Sequence, residues 1–77
     1  MSDSKTTVQL TAGAQIEFDY VNWRGETGHR RVEVSHAWYG ATKWHPEPGW
    51  LLTAIDMEKR EQREFAMRDM KEVRYAD

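Results

Sequence analysis

The sequence predicts a small, mainly β domain. Two stretches alternate apolar and polar residues, and a third, apolar stretch follows a segment rich in proline and glycine. Alternation with a period of two is typical of strands that bury one face. A chain of 77 residues is expected to form one domain with a single thin core. A deep, enclosed active site is therefore not expected.

The first predicted strand is "QIEFDY", in which Ile16, Phe18 and Tyr20 share one face. The preceding residues 1–13 are small and polar at first, so we expect a flexible or loosely packed segment there. Val8 and Leu10 are expected to lie on the domain.

The second strand is "HRRVEVSHAW", which follows the turn-rich "NWRGETG" and predicts a β-hairpin. Turning the two apolar faces inward pairs Ile16 with Val34, Phe18 with Val32 and Tyr20 with Arg30. The loop is then odd-numbered and centred on Gly25, which can adopt the left-handed conformation that such loops need. Arg30 has the parity of the inward-facing residues.

The third strand is expected to begin at Trp50, because the proline-rich "YGATKWHPEPG" before it cannot pair in a central strand. The apolar run "WLLTAIDM" then supplies the strand itself, and we expect Trp50 and Trp38 to close the core. Trp44 is expected to pack the "HPEP" loop onto it.

The C-terminal part has two competing interpretations. By propensity alone "MEKREQREFAMRDMKEVR" is a helix. A turn near Lys59 and Arg60 would instead pair Leu52 with Met67, Ala54 with Phe65 and Asp56 with Arg63. We favour the hairpin for residues 57–70 because this register places apolar against apolar and acid against base, and because tertiary pairing often overrides propensity.

The order of these segments resembles the WYL domain. "IEFDY", a glycine-centred turn, "RRVEV", "WLL" with "TAID", "REFAM" and "MKEV" follow one another over roughly residues 14–74. The tripeptide Trp-Tyr-Leu of that family corresponds to Trp50-Leu51-Leu52, and its Arg-x-Phe element to Arg63-Glu64-Phe65. The resemblance implies that residues 14–75 form a small, strongly bent five-stranded barrel of the Sm or SH3 type, with a long loop before the "WLL" strand.

In bacterial regulators such a domain is usually joined to a DNA-binding helix-turn-helix, and the resemblance implies a ligand sensor for nucleotides or nucleic-acid fragments. This chain departs from the family at three points. Leu51 replaces the signature tyrosine, Asp69 beside Arg68 stands where a basic residue is common, and the segment before "WLL" is longer. No helix-turn-helix is evident, so a stand-alone module is expected.

The candidate ligand site centres on two arginines. Arg30 and Arg63 share the parity of core residues at strand ends, where an inward guanidinium must be paired or lie at an open mouth. Two guanidinium groups there would hold a phosphate or carboxylate. The predicted binding set is Arg30, Arg63, Arg68, Tyr20 and Trp50. The structural alternative is an Asp56 to Arg63 pair, with Arg30 capped by Tyr20 or by backbone carbonyls.

Four tryptophans are many for so short a chain. Trp23 beside Arg24 is expected to be exposed, and Trp23, Trp44 and His45 are candidates for contact with a protein partner. His45 has the alternative role of capping the turn that Pro46 and Pro48 stiffen. The three histidines fall on separate segments, so neither a metal site nor a cofactor is expected.

Charge and composition restrict the partners further. The formal net charge is −2, so any nucleic-acid binding requires a local basic patch. The absence of cysteine, of a bilayer-length apolar run and of a secretory signal predicts a cytoplasmic protein without a membrane partner. No nucleophile elbow or glycine-rich phosphate loop is present, so we expect no enzyme. Two hypotheses remain: a module that binds a nucleotide or single-stranded nucleic acid, and an SH3-like module that binds a protein or itself.

Overall fold

The computed structural model describes residues 7–76, which form one antiparallel sheet. The strands are β1 (Gln15–Val21), β2 (Thr27–Gly40), β3 (Gly49–Asp56), β4 (Glu61–Ala66) and β5 (Met70–Tyr75). A single 3₁₀ turn, Met67–Asp69, joins β4 to β5 within the described residues. The mainly β class predicted from the sequence is confirmed. No helix in this part of the chain has the length and apolar character needed to cross a membrane.

The sheet is bent, and a hydrogen bond from the N–H of Ala66 to the Tyr20 hydroxyl connects β4 to β1. Its strand order is β4-β3-β2-β1-β5, so β4 and β5 occupy opposite edges. In a flat five-stranded sheet these edges would lie about 19 Å apart. The chain from Ala66 to Met70 spans at most about 14 Å, so the edges must curl toward each other. No ladder joins β4 to β5 between residues 7 and 76, so the sheet is not closed and the expected barrel is not confirmed.

Two β-bulges accompany the bend. One adds a residue to β2 between Val34 and His36, where the facing residues of β3 are consecutive. The other lies in β5, where Glu72 has a φ of 56°. Bulges bend the strand that carries them and increase its twist. They therefore contribute to the curvature of β2 and β5.

The core fills the concave side of the sheet. Its buried members come from four strands: Ile16, Phe18, Tyr20, Val32, Val34, Leu52, Ala54 and Phe65. Val8 and Leu10 pack against this cluster, as expected from the sequence. Residues 1–6 of the predicted N-terminal segment lie outside the described part of the chain.

The first hairpin forms as predicted, but its register differs by two residues. Ile16 pairs with Val32, and Tyr20 pairs with Gly28. The reason is the loop of residues 22–26, in which the Asn22 side chain accepts hydrogen bonds from the backbone N–H groups of Arg24 and Glu26, both at 2.9 Å. A shift of two preserves parity, so the apolar faces still meet. Gly25 has a φ of 81°, which confirms the left-handed glycine.

The second hairpin replaces the helix that propensity favours. Leu52 pairs with Phe65 and Asp56 with Glu61, again two residues from the predicted register. Asp56 is buried, and its carboxylate accepts hydrogen bonds from the backbone N–H groups of Glu58 at 2.9 Å and Lys59 at 3.2 Å. Asp56 thus caps the turn, and the predicted ion pair with Arg63 was wrong.

The expectation that Trp50 and Trp38 close the core was wrong. Trp50 is 58% exposed, and its ring meets that of Tyr39 edge-on at 5.6 Å. It lies at the start of β3, beyond the last core residue of that strand, Leu52. Trp38 lies on the opposite face, where its indole N–H donates to the Thr53 hydroxyl at 2.8 Å.

A charged cluster around Glu17 joins β1 to β2 and β5 and is expected to be sensitive to acid. Glu17 accepts a hydrogen bond from His29 at 2.7 Å, and Arg74 lies 3.4 Å from the same oxygen. The bond from His29, helped by the charge of Arg74, lowers the pKa of Glu17 below its usual 4.5.

A lowered carboxyl pKa stabilises the folded state above the ordinary value of 4.5 and ceases to do so as pH falls through the lowered pKa. We therefore expect the urea midpoint to fall with acidification below pH 4.5, and Glu17→Gln to reduce this part of the loss. Urea titrations of both proteins across this range measure it. Equal acid sensitivity of the two proteins would contradict the assignment, and Glu33→Gln is the control on β2.

Candidate functional site

A groove of about 540 Å³ opens beside the β1–β2 turn, the β2–β3 loop and strand β4. It is lined by three residues of the predicted ligand site and by all three predicted protein contacts: Tyr20, Arg30, Arg63, Trp23, Trp44 and His45. The sequence analysis assigned these residues to two alternative roles, ligand binding and protein contact. The structure places both sets around one groove.

Two tryptophans form the aromatic wall of this groove. The rings of Trp23 and Trp44 are stacked, with centroids 5.8 Å apart and planes inclined by 26°. Trp23 belongs to the loop ordered by Asn22, and the hydroxyl of Thr42 accepts a hydrogen bond from the N–H of Trp44 at 3.2 Å. Local side-chain caps of this kind fix a turn without regular structure. Both rings remain largely exposed, at 63% and 58%.

Positive charge surrounds the tryptophan pair. The guanidinium carbon of Arg24 lies 5.1 Å from the centroid of Trp23, and the ammonium of Lys43 lies 5.5 Å from that of Trp44. Both distances fit cation–π contacts. Glu64 also lines the groove and partly offsets this charge. The aromatic wall is therefore locally basic on a chain that is acidic as a whole.

Arg30 is held in the groove by backbone contacts. Its guanidinium donates to the carbonyl of His29 at 3.2 Å, which matches the backbone capping considered from the sequence. The side chain also covers Gly28, where a β-carbon would lie 2.6 Å from the guanidinium Nη1. Within residues 7–76 no carboxylate lies within 4.0 Å of this guanidinium. Arg30 can therefore accept an anion.

In the described part of the chain, Arg63 forms an ion pair with one exposed neighbour. Its guanidinium lies 3.0 Å from the carboxylate of Glu61, and both side chains are close to half exposed. Exposed pairs of this kind contribute about 0.2–1 kcal/mol, so Arg63 can exchange Glu61 for a ligand at small expense. We therefore expect this pair to contribute little to the stability of the fold.

Tyr20 forms the floor of the groove and ties two strands together. Its hydroxyl accepts a hydrogen bond from the backbone N–H of Ala66 at 2.9 Å, which connects β1 to β4 across the bend. Burial raises the pKa of Tyr20 above its usual value. The hydroxyl therefore keeps its proton at neutral pH and has that proton to donate.

Two residues of the predicted ligand site lie elsewhere. Trp50 and Arg68 line a second pocket of about 380 Å³, which shares only His45 with the groove. The structure therefore does not bring these two residues into the groove with Arg30 and Arg63. Sequence reasoning also missed Asn22 and Thr42, although "NWRG" and "TKWH" carry the spacing of side-chain-capped turns.

His45 is buried and lines both depressions, and among residues 7–76 no hydrogen bond from its side chain caps the turn. The turn is closed by backbone bonds between Thr42 and His45, and the Thr42 hydroxyl accepts the His45 N–H at 3.0 Å. The capping side chain is therefore threonine, which corrects the expected role of His45. In the stretch from 7 to 76 no three His, Cys, Asp or Glu residues lie close enough to hold a metal ion.

Comparisons of the chain with protein-family models, with curated proteins and with solved structures found no match. The groove itself is therefore the basis for inferring a function. Its lining combines an aromatic wall, two available guanidinium groups and a hydroxyl donor. This combination is suited to a ligand that has both a flat ring and an anionic group.

Proposed function

We propose that this chain is a non-catalytic, ligand-sensing or regulatory module of the WYL type that binds a nucleotide or a single-stranded nucleic acid in the groove. The observation that supports the proposal is the stacked pair of Trp23 and Trp44 beside Arg30 and Arg63. The bent five-stranded sheet is compatible with an incompletely closed barrel of the Sm or SH3 type. In that architecture the groove lies at the barrel rim.

Each part of a nucleotide has a partner in this site. A base stacks on an exposed indole face, a contact worth about 1–3 kcal/mol per base. A phosphate accepts hydrogen bonds from the guanidinium groups of Arg30 and Arg63, whose fork geometry suits it. The protonated hydroxyl of Tyr20 donates to a further oxygen. The positive charges of Arg24 and Lys43 at the rim of the groove add electrostatic attraction for the phosphate.

Acidic neighbours should keep the affinity modest. Glu61 competes for Arg63, and Glu64 faces the same groove. The net charge of −2 gives no long-range attraction toward a polyanion. Binding should therefore depend on the local contacts and weaken markedly with added salt.

Replacing Arg63 with alanine tests the phosphate contact. Oligothymidylate binding, followed by tryptophan fluorescence, should weaken, and the slope of log K against log salt should become shallower by about 0.7. The free energy of unfolding should change by no more than about 1 kcal/mol, because the pair with Glu61 is exposed. Arg74→Ala is the matched control, since Arg74 is an exposed arginine outside the groove.

Three results would contradict parts of this proposal. An unchanged salt slope in Arg63→Ala would remove Arg63 from the ligand site. Loss of the fold in that variant would make Arg63 a structural residue. Oligothymidylate that fails to bind the parent chain even at low salt would contradict the proposed function.

A second candidate is favoured by the exposure of Trp23 and Trp44, at 63% and 58%. Tryptophan is enriched at protein interfaces, so this surface and the "HPEP" loop could dock a protein. A second copy could also pair with an open sheet edge at β4 or β5. Sedimentation at several concentrations detects the dimer. A tryptophan-based protein interface would respond little to the salt that weakens phosphate contacts.

A further inference from the structure

The second pocket is large enough to hold a small ligand. Its volume of about 380 Å³ lies within the usual range for such sites. Leu51 and Ala66 line it with apolar side chains that are otherwise almost completely buried in the domain. Trp50 and Met67 line it as well. An apolar group that enters it therefore exchanges water for a preformed apolar surface.

Two opposite charges also line this pocket. Glu47 and Arg68 are both exposed. Within residues 7–76 neither forms an ion pair, so more than 4.0 Å separates their charged atoms. A β-carbon on Gly49 would lie 3.7 Å from the guanidinium Nη1 of Arg68, so this guanidinium lies beside the backbone at the start of β3. Each charge is available to a ligand group of the opposite sign.

We propose that this pocket binds an apolar α-amino acid in its zwitterionic form. The side chain rests on Leu51 and Ala66, the carboxylate pairs with Arg68, and the ammonium pairs with Glu47. A nucleotide suits this pocket less well than the groove, because the pocket lining has one guanidinium beside Glu47, whereas the groove has two guanidinium groups and the stacked tryptophans. The proposal concerns a different set of contacts from the nucleotide site and stands independently of it.

The ligand charges provide a direct test. The probes are phenylalanine, phenylalanine amide, which lacks the carboxylate, and N-acetylphenylalanine, which lacks the ammonium. Titration of the full chain at millimolar concentrations should shift the backbone NMR signals of Gly49, Leu51, Ala66 and Met67. Phenylalanine should bind about threefold more tightly than either analogue, the effect of one exposed ion pair.

Matched variants assign each charge to its partner. Arg68→Gln should abolish the preference for phenylalanine over the amide, and Glu47→Gln should abolish the preference over the N-acetyl compound. Lys71→Gln and Glu33→Gln, exposed residues outside the pocket lining, should leave both preferences unchanged. The same spectra show that each variant is folded.

Three results would overturn the proposal. The first is the absence of shifts at the pocket residues with phenylalanine. The second is equal binding of the three compounds, which would reduce the pocket to an apolar surface. The third is phenylalanylglycine binding as tightly as phenylalanine, since a dipeptide separates the two charges and would identify a peptide rather than a free amino acid as the ligand.

Discussion

Replacing Phe18 with alanine should lower the free energy of unfolding by about 3–5 kcal/mol. Phe18 is completely buried on β1. Its ring meets that of Phe65 at 5.2 Å and that of Tyr20 at 6.1 Å, both nearly perpendicular. These three rings join β1 to β4 across the concave side of the sheet. Their removal leaves a cavity that the two hairpins cannot fill without moving.

This loss is large for so small a chain. A domain of 77 residues is expected to have a total stability of about 4–12 kcal/mol. Phe18→Ala should therefore be marginally folded at 25 °C, with a much lower midpoint in urea followed by circular dichroism. Ile55→Ala is the control, because Ile55 is 41% exposed on β3 and should lose about 1 kcal/mol or less. An equal loss in both variants would mean that the sheet does not enclose Phe18.

The strands were predictable because alternation records burial on one face. Both hairpins were predicted correctly, and the C-terminal hairpin forms despite the strong helical propensity of its residues. Both registers were wrong by two residues for the same reason. Parity fixes which residues face inward but leaves the turn length open, and Asn22 and Asp56 set that length by capping their loops. The capping pattern of an asparagine or aspartate has to be considered before the pairing.

Burial of the tryptophans was less predictable. Hydrophobicity suggested that Trp50 and Trp38 close the core, yet Trp50 is largely exposed and Trp38 lies on the other face. The bulge after Val34 shifts which residues of β2 face inward beyond it. The core also ends at Leu52, before Trp50 is reached. Neither feature leaves a clear mark in the alternation of apolar and polar residues.

The sequence predicted several residues of the candidate site, but it did not predict which of them lie together. Arg30 and Arg63 were identified because each lies at a strand end and has the parity of the inward-facing residues. Both line the groove with Tyr20. Trp23 and Trp44 join them only because the β2–β3 loop reaches the β1–β2 turn, a contact between segments about twenty residues apart. No local pattern reports such a contact. The same limit explains why Arg68 and Trp50 were grouped with Arg30 and Arg63, although they line a different depression.

Replacing Trp44 with alanine should reduce nucleotide affinity by about tenfold to a hundredfold, which corresponds to one stacking contact. The fold should survive, because Trp44 is 58% exposed and Thr42 still orders the loop through the N–H of His45. Fluorescence of the remaining tryptophans and NMR titration with thymidine monophosphate and oligothymidylate give the affinities. Tyr39→Ala is the matched control, since it removes an aromatic ring with 61% exposure outside the groove.

The comparison of Trp44→Ala with Arg63→Ala separates the two proposed functions. In a nucleotide site both variants lose affinity, but only Arg63→Ala reduces the salt dependence, because stacking neutralises no phosphate. In a protein-docking surface the tryptophan alone carries the interaction, and nucleotide affinity is absent from the start. Trp44→Ala with unchanged affinity for a nucleotide that does bind would place the base away from the indole pair. The aromatic wall would then be free to serve a protein partner beside an occupied anion site.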